Sequence, residues 1–429
     1  MPLGWACQMA GHEVRVAAMP TMTPAILESG LAAAPVGPAG GPAEAFEKAG
    51  IDPRPQARKK TGDDAGAGGG QQDTLGPWPQ DWPARPELLT DAQRQAVSRI
   101  GLFASVIAES QIDDLVALIR DWKPDLIVHD GTQFAAPVAA ALTGVPTARY
   151  LLGTPGMLRV DTAYSAEPVP EYVRLFEKYG LEPRTEPTVW IDPCPQSIQY
   201  PYPAGAEVLP MRFVPYNGAA VLPDWLREPP GRPRVCVTWG FTEAELTGSG
   251  MLTVFRQTLD ALQGLDVEPV IVVNPKLREL LGELPDTVRT AMSVPLNLVL
   301  PTCAAAVHHG GAGTTMTASA LGVPQLAITT PPHYALPGFR MARTGAGRHL
   351  HAEEIPAGGA GVELIRSEVA ALLTAPEHRA AAGRLRDEAA ARLSPAEVVS
   401  ALERLVARPV EAQAGPGAAR SERTSSCAS

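Results

Sequence analysis

Short apolar runs, each followed by a helical pattern, recur along the chain, and this repetition limits the possible folds more than any other feature. The runs include PDLIVHD, RVCVTWG and EPVIVVN, at residues 124–130, 234–240 and 268–274. Runs that are apolar on consecutive positions are typical of parallel strands buried on both faces of a sheet. Strands that alternate with helices in this way predict an α/β protein built from doubly wound, Rossmann-like domains.

A proline-dense segment separates two such series and sets the predicted domain organisation. We expect a first Rossmann-like domain over residues 1–205, an interdomain linker over 206–232 and a second Rossmann-like domain over 233–392. A C-terminal helix over 393–408 and a polar tail over 409–429 follow. Two domains of this kind that face each other enclose a cleft at the carboxyl ends of their strands, where α/β folds bind ligands.

The charge balance argues against two classes of partner. The chain carries 36 Lys and Arg against 46 Asp and Glu, a net charge of −10, whereas nucleic acids and anionic membranes attract clustered cations. No apolar stretch approaches ~18 residues and no basic-then-apolar leader opens the chain, so we expect a cytoplasmic protein without a membrane span. The five cysteines are scattered without CxxC spacing, so neither a disulfide framework nor a metal site is expected.

A glycine-rich motif, AAAVHHGGAGTTMTASALGVPQL at residues 304–326, carries the clearest chemical signal. It follows a predicted strand and opens a predicted helix, so backbone N–H groups and the helix dipole would favour a phosphate there. The residues expected to contribute are three glycines, a hydroxyl and an imidazole: Gly310, Gly311, Gly313, Thr314 and His309. The same pattern also suits a tight strand–helix corner that binds nothing, and spacing alone does not separate the two interpretations.

The stretch HHGGAGTTMTASALGVPQL, preceded by PLNLVLPTCAAAV, closely resembles the donor-binding signature of GT-B glycosyltransferases of family GT1 that decorate bacterial antibiotics. The resemblance extends along nearly the whole chain. The pieces IDPCPQS and MRFVPYNG are most similar to the subgroup that adds deoxyaminosugars to macrolide or anthracycline aglycones. The resemblance therefore implies an α/β protein of the GT-B fold, with the sugar donor on the second domain and the acceptor on the first.

The resemblance also implies a reaction and its partners. A nucleoside-diphosphate sugar, TDP- or UDP-linked, loses its nucleotide as a hydroxyl of a polyketide-type aglycone attacks the anomeric carbon, with inversion and without a metal or other cofactor. Fixed dipoles of the glycine-rich turn would stabilise the leaving pyrophosphate. Such enzymes commonly work with an auxiliary protein related to haem monooxygenases, and the possibility of a homodimer is left open.

By the same pattern, two segments of the second domain are expected to contact the donor. Trp239 and Gly240 would lie near the sugar nucleotide, and Val294, Pro295 and Leu296 would lie along the nucleobase. An aromatic residue at the end of a strand is equally typical of core packing, so Trp239 keeps both interpretations.

The first domain departs from the family's pattern. The family's general base is a His in the loop after the first strand, which here would lie upstream of residue 1, so we expect the natural start about twenty residues earlier. Asp130, which ends the predicted strand PDLIVHD, is the best catalytic candidate still present and would orient that His. Capping the following helix is its alternative role. Trp78 and Trp82 would form an apolar wall for the acceptor, or else simply pack on the domain.

A second departure lies after the predicted strand VPQLAIT. Where the family has an Asp and a Gln that bind sugar hydroxyls, alignment on RTGAG places His333 and Phe339. These side chains accept fewer hydrogen bonds, which favours a highly deoxygenated sugar, unless both are loop residues without donor contact. Two hypotheses follow, an antibiotic-pathway glycosyltransferase and, as the alternative, a catalytically silent relative that binds a ligand or partner without turnover.

Overall fold

The computed structural model describes residues 1–52, 78–80, 82–152, 159–202, 204–239, 249–330 and 335–407. Helices and short strands alternate through both halves. The strands of the first half are β1 (Arg15–Ala18), β2 (Ala32–Pro35), β3 (Ile127–Asp130), β4 (Thr147–Tyr150), β5 (Val189–Asp192) and β6 (Val208–Pro210). Its helices are α1 (Pro2–Met9), α2 (Thr23–Glu28), α3 (Gly41–Lys48), α4 (Asp91–Glu109), α5 (Ile112–Trp122), α6 (Ala135–Thr143) and α7 (Pro170–Glu177).

The second half repeats the alternation more regularly. Its strands are β7 (Arg234–Thr238), β8 (Glu268–Val273), β9 (Arg289–Met292), β10 (Ala305–His308), β11 (Gln325–Thr329) and β12 (Gly347–His351). Its helices are α8 (Ser249–Gln263), α9 (Pro275–Leu281), α10 (Leu296–Val299), α11 (Ala312–Leu321), α12 (Ala335–Arg343), α13 (Gly359–Thr374), α14 (Pro376–Ala390) and α15 (Pro395–Val406).

Strands β7 to β12 form one six-stranded sheet in the order β12-β11-β10-β7-β8-β9. Every neighbouring pair is parallel. All side chains of β7, β10 and β11 are buried, which explains why these strands read as continuous apolar runs. The strand order reverses between β7 and β10, and in doubly wound sheets such a switch point is where ligands bind.

The first half forms two sheets rather than one. Strands β3, β4, β5 and β6 pair in that order and in parallel, whereas β1 pairs with β2 alone. Among the described residues, β1 and β3 therefore each have a single neighbouring strand. Val128 on β3 is accordingly 43 % exposed, as is typical of an edge strand rather than of a central one.

One segment of each half packs on the other half. A crossing segment, which we define as residues 194–202, leaves β5 and packs on the second half. Its Cys194 and Ile198 are buried with Met316, Ala327 and Met341. In the opposite direction, α15 packs its apolar face on the first half, where Val398, Val399 and Leu402 are buried with Leu3, Ile191 and Met211. The predicted boundary at residue 205 stays a prediction: Cys194 and Ile198 pack on the second half, whereas Tyr202 packs on Leu151 and Trp190 of the first.

Candidate functional site

Trp239 and His309 lie side by side at the switch point of the second sheet. Strand β7 ends at Thr238 and β10 ends at His308, and these two residues are partners in the parallel register. Trp239 and His309 therefore follow adjacent strands at the same edge. The sequence placed both beside the donor, and the structure brings them together where a doubly wound sheet binds its ligand.

Helix α11 opens directly after the glycine-rich turn, and no side chain caps its N-terminus. The N-cap residue is Gly311, whose carbonyl accepts the first helical hydrogen bond, from the N–H of Thr315 at 2.9 Å. The preceding amides of the first turn have no acceptor within the helix. These N–H groups, together with the positive end of the helix dipole, suit an anionic ligand such as a phosphate.

The glycines of this turn have different steric surroundings. A Cβ on Gly311 would lie 2.5 Å from Nε2 of His309, so the imidazole leaves no room for a side chain there. A Cβ on Gly313 would meet no heavy atom within 4 Å, and Gly313 is exposed. The space for a ligand thus opens over Gly313 and the half-buried Thr314. Gly310 has a φ of +85°, in the left-handed region that favours glycine.

His308 holds the glycine-rich turn in place, a role that the sequence did not reveal. Its Nδ1 accepts a hydrogen bond from the N–H of Gly310 at 3.0 Å, and its Nε2 bonds Oε1 of Gln325 at 2.9 Å. Gln325 in turn donates to Ser319 in α11 at 3.0 Å. Burial lowers the pKa of His308 to about 3, with a smaller contribution from His309. The ring is therefore neutral near pH 7, with its proton on Nε2.

His309 is 5 % exposed, and burial lowers its pKa to about 4. A hydrogen bond to the backbone of Thr238 has the opposite, smaller effect and raises this pKa. A neutral imidazole has a single N–H. Because the bond to Thr238 favours the protonated form, the ring acts as its donor and the other nitrogen can only accept. The predicted donation to a pyrophosphate oxygen therefore requires the ring to exchange its Thr238 partner for the ligand.

Trp239 packs in the core, which is one of the two interpretations that its sequence position allowed, and its contact with the donor stays a prediction. The ring is 4 % exposed and packs edge-on against Phe255, with a centroid distance of 5.0 Å. Its buried Nε1 has no hydrogen-bond partner among the residues that the structure describes. A buried N–H without an acceptor is costly, so it indicates a group that a ligand could satisfy. The neighbouring Gly240, and His333 of the second departure, lie outside the described residues.

The segment predicted to contact the nucleobase follows β9 at the same edge of the sheet. Pro295 is the N-cap of α10, and Leu296 is 7 % exposed in a cluster with Leu300 and Cys236. Val294 is half-buried beside that cluster. The position is consistent with the expectation, and the nucleobase contact stays a prediction.

Phe339 lies within helix α12 rather than in a loop. It is half-buried, and the guanidinium of Arg343 stands 5.7 Å from its ring centroid. The alternative that Phe339 is a loop residue was wrong, because the helix over Ala335–Arg343 includes it. Whether its ring contacts the sugar stays a prediction.

On the acceptor side, Asp130 ends β3 and binds its own loop. Its Oδ1 accepts hydrogen bonds from the N–H and the hydroxyl of Thr132, at 2.7 and 2.5 Å. The alternative that it caps the following helix was wrong, because the N-cap of α6 is Phe134 and no side chain caps that helix. Trp82 is 1 % exposed and packs with Leu336 of α12, and Trp78 lies tilted against it at 5.9 Å. Trp82 is thus used in packing between the two halves, and the acceptor wall stays a prediction.

The described part of the chain offers neither a metal site nor a membrane span. It contains no group of three or more His, Cys, Asp or Glu side chains placed to hold a metal ion. None of its helices has both the length and the apolar character that crossing a bilayer requires.

Comparison with known proteins gives the same family for both halves. The N-terminal domain of the erythromycin biosynthesis protein CIII-like family matches residues 5–67 and 86–240, and its C-terminal domain matches residues 256–405. The tylactone mycaminosyltransferase of Streptomyces fradiae is 37% identical over 427 residues, which cover 95% of this chain and 89% of that protein. The aklavinone 7-beta-L-rhodosaminyltransferase of Streptomyces galilaeus is 38% identical over 437 residues, covering 95% and 92%.

A solved structure extends the likeness to three dimensions. The glycosyltransferase VinC, in complex with DTDP, is 30% identical and superposes with a TM-score of 0.73, covering 95% of this chain and 96% of that chain. Nothing in these comparisons supports the alternative of a silent binding protein. The prediction from the glycine-rich motif is confirmed: the chain belongs to the erythromycin biosynthesis protein CIII-like family and is a glycosyltransferase of the GT-B fold.

Proposed function

We propose that the protein transfers a deoxysugar from TDP to a hydroxyl of a polyketide-type aglycone. The observation that carries this proposal is the uncapped N-terminus of α11 at the switch point, beside Trp239 and His309. The names of the relatives supply the substrate classes, since one acts on tylactone, another on aklavinone, and VinC was solved with thymidine diphosphate. The alternative donor is a UDP-sugar, and calorimetric titration with TDP and with UDP distinguishes the two.

The proposed chemistry needs charge stabilisation more than covalent participation. As the acceptor oxygen attacks the anomeric carbon, its proton passes to the general base that the resemblance implies, the bond to the pyrophosphate breaks and negative charge develops on the departing oxygen. N–H groups fixed at the start of α11 would hydrogen-bond that charge in the transition state without having to reorient. We propose inversion at the anomeric carbon and no metal requirement. An auxiliary protein, a homodimeric state and a cytoplasmic location also stay predictions.

Gly313→Ala tests the donor site. The new methyl group would occupy the open space over α11, so TDP binding is expected to weaken by about 3 kcal/mol, roughly a hundredfold in Kd. Stability is expected to stay equal or to rise by up to about 1 kcal/mol, since alanine is the better helix former. Titration calorimetry with TDP and with UDP, together with thermal unfolding, measures both effects.

Gly383→Ala is the matched control for this substitution. Gly383 lies within α14, and a Cβ there would also meet no heavy atom within 4 Å. It should give the same small gain in stability without changing nucleotide affinity. An unchanged Kd for TDP in Gly313→Ala would contradict the placement of the phosphates on α11. A parent protein that binds neither TDP nor UDP would contradict the proposed function itself.

Asp130→Asn separates the catalytic role of this residue from its structural one. The amide oxygen of Asn can still accept the two hydrogen bonds from Thr132, but it carries no charge to orient a catalytic imidazole. If Asp130 takes part in catalysis, kcat is expected to fall at least about tenfold with an unchanged melting temperature. Release of TDP from TDP-deoxyhexoses, with tylactone and aklavinone as trial acceptors, is the assay. A kcat within about twofold of the parent would leave Asp130 with only its structural role of holding the loop through Thr132.

A further inference from the structure

Helix α12 joins the donor side of the cleft to two segments of the other half. It follows β11, whose carboxyl end lies beside that of β10 and therefore beside the glycine-rich turn. On its second turn, the guanidinium of Arg340 donates to the carbonyl of Gln199 at 2.6 Å and to that of Ile198 at 3.4 Å. Both carbonyls belong to the crossing segment.

The same guanidinium also stacks on an aromatic ring of the crossing segment. Arg340 lies 4.7 Å from the ring centroid of Tyr200, which is 4 % exposed. The hydroxyl of Tyr200 donates to the carbonyl of Gln80 at 3.1 Å, next to Trp82. A chain of direct contacts therefore runs from α12 through Arg340 and Tyr200 to the tryptophan-bearing loop of the first half.

A second contact closes this arrangement. Leu336, on the first turn of α12, is 2 % exposed and packs with Trp82 and Leu89. The helix thus contacts residues 82–89 at its N-terminal end and the crossing segment one turn later. A small displacement of α12 when the neighbouring donor site is filled would have to repack both contacts, because closely packed interiors deform little.

We propose that Arg340 is a positioning residue, which couples occupation of the donor site to the placement of residues 82–89 on the acceptor side. The inference rests on the proposed function, since it takes the donor to lie at the glycine-rich turn. The chemistry of the contact requires arginine. A planar guanidinium can donate to two carbonyls and stack on a ring at once, whereas the ammonium of lysine is a point donor without a face to stack.

Arg343 provides a matched control on the same helix. It lies three residues after Arg340 and is exposed, and its cation–π contact is with Phe339 of α12 itself. Its replacement removes the same charge and a similar volume from α12 while leaving the contacts to the crossing segment in place. Any effect specific to Arg340 therefore reports on those contacts.

Hydrogen exchange with TDP as the probe tests the proposal. Exchange would be followed in residues 309–321 and 82–89, with and without saturating TDP, in the parent, Arg340→Ala, Arg340→Lys, Tyr200→Phe and Arg343→Ala. In the parent and in Arg343→Ala, TDP is expected to slow exchange in both segments, by about fivefold or more in residues 82–89. In Arg340→Ala and Tyr200→Phe, TDP should protect residues 309–321 alone. Arg340→Lys should give partial protection of residues 82–89.

Three other outcomes would overturn the proposal, and a fourth would overturn the proposed function as well. TDP protection of residues 82–89 that persists in Arg340→Ala would overturn the proposal, and so would a parent in which TDP protects only residues 309–321. A merely structural role would lower the melting temperature without removing this response to TDP, and would equally overturn it. A parent that shows no TDP binding by calorimetry would overturn the proposed function and this inference with it. Tyr200→Phe removes one hydroxyl group only, so the test does not depend on the fold tolerating the loss of Arg340.

Discussion

Acidification below about pH 6 is expected to lower the free energy of unfolding by about 5 kcal/mol for each pH unit, because four histidines that are buried or half-buried stay neutral in the folded protein. Their pKa values are lowered from 6.5 to about 3 for His129, His308 and His349, and to about 4 for His309. In the unfolded chain each imidazole takes up a proton below its ordinary pKa of about 6.5, whereas the folded protein does not do so until about pH 4 or 3. Their contribution is thus fully present above pH 6.5 and is lost as the pH falls.

The four histidines owe their neutrality to burial, and they lie in both halves of the protein. His308 ends β10, His309 follows it in the glycine-rich turn and His349 lies on β12, whereas His129 lies on β3 in the first half. Burial is the largest cause of the low pKa of His129, and the positive charge of Arg149 on the paired strand adds to it. Acid should therefore destabilise both halves together, and the glycine-rich turn should unfold at the same pH as the rest of the protein.

Urea unfolding at about pH 8, 7, 6 and 5 measures this slope, which for one histidine is about 1.4 kcal/mol per unit. His129→Gln is the control, since glutamine has a similar size and does not titrate. It should reduce the slope below about pH 6 by roughly a quarter, whatever its effect on stability at neutral pH. A free energy of unfolding that stays constant between about pH 6.5 and 5 would mean that the imidazoles are charged in the folded state.

Asp161→Asn is expected to destabilise the protein by about 3–5 kcal/mol, since it leaves a buried arginine without its counter-charge. Asp161 is 0 % exposed, and its Oδ2 pairs with Nη1 of Arg149 at 3.1 Å. Arg149 is 2 % exposed and stacks on Trp190 at 4.9 Å. His129, Arg149 and Trp190 are register partners on β3, β4 and β5, so the loss of Asp161 places an unpaired charge among rigid neighbours.

Two further variants define what this ion pair contributes. Arg149→Met combined with Asp161→Leu removes both charges, and it should recover most of the stability that Asp161→Asn loses. Asp224→Asn breaks an ion pair with Arg227 in which the side chain of Asp224 is 93% exposed. This substitution should change stability by no more than about 0.5 kcal/mol. Chemical unfolding at neutral pH ranks the three. An effect of Asp161→Asn as small as that of Asp224→Asn would show that water reaches Arg149.

Local patterns in the sequence predicted the elements well, because each depends on neighbours in the chain. The run PDLIVHD gave β3, and the glycines after β10 gave the turn into α11. The pairing of strands in the first half was not evident from these patterns, since β1 pairs with β2 apart from β3. Pairing between strands about a hundred residues apart depends on tertiary packing, which apolar periodicity does not encode.

The residues that complete the site were harder to find, since their partners are distant in the sequence. Gln325 on β11 forms a hydrogen bond with His308 on β10, and the two are 17 residues apart in the sequence. Arg340 forms a hydrogen bond with Gln199, which is 141 residues away. No spacing rule links such pairs. Trp82 could not be assigned for a different reason: the sequence of a proline-rich loop does not distinguish a tryptophan that contacts a ligand from one that packs on a helix.

The exchange of segments between the two halves has a consequence for the order of events during synthesis. Domains usually fold as they leave the ribosome, the N-terminal one first. Here the apolar surface formed by Leu3, Ile191 and Met211 is covered by α15, which is translated after the entire second sheet. The first half therefore cannot complete its folding until the second half has been synthesised, and it stays partly unfolded or bound to a chaperone until then. Ribosome-bound chains arrested before residue 395 should be protease-sensitive in the half that was synthesised first.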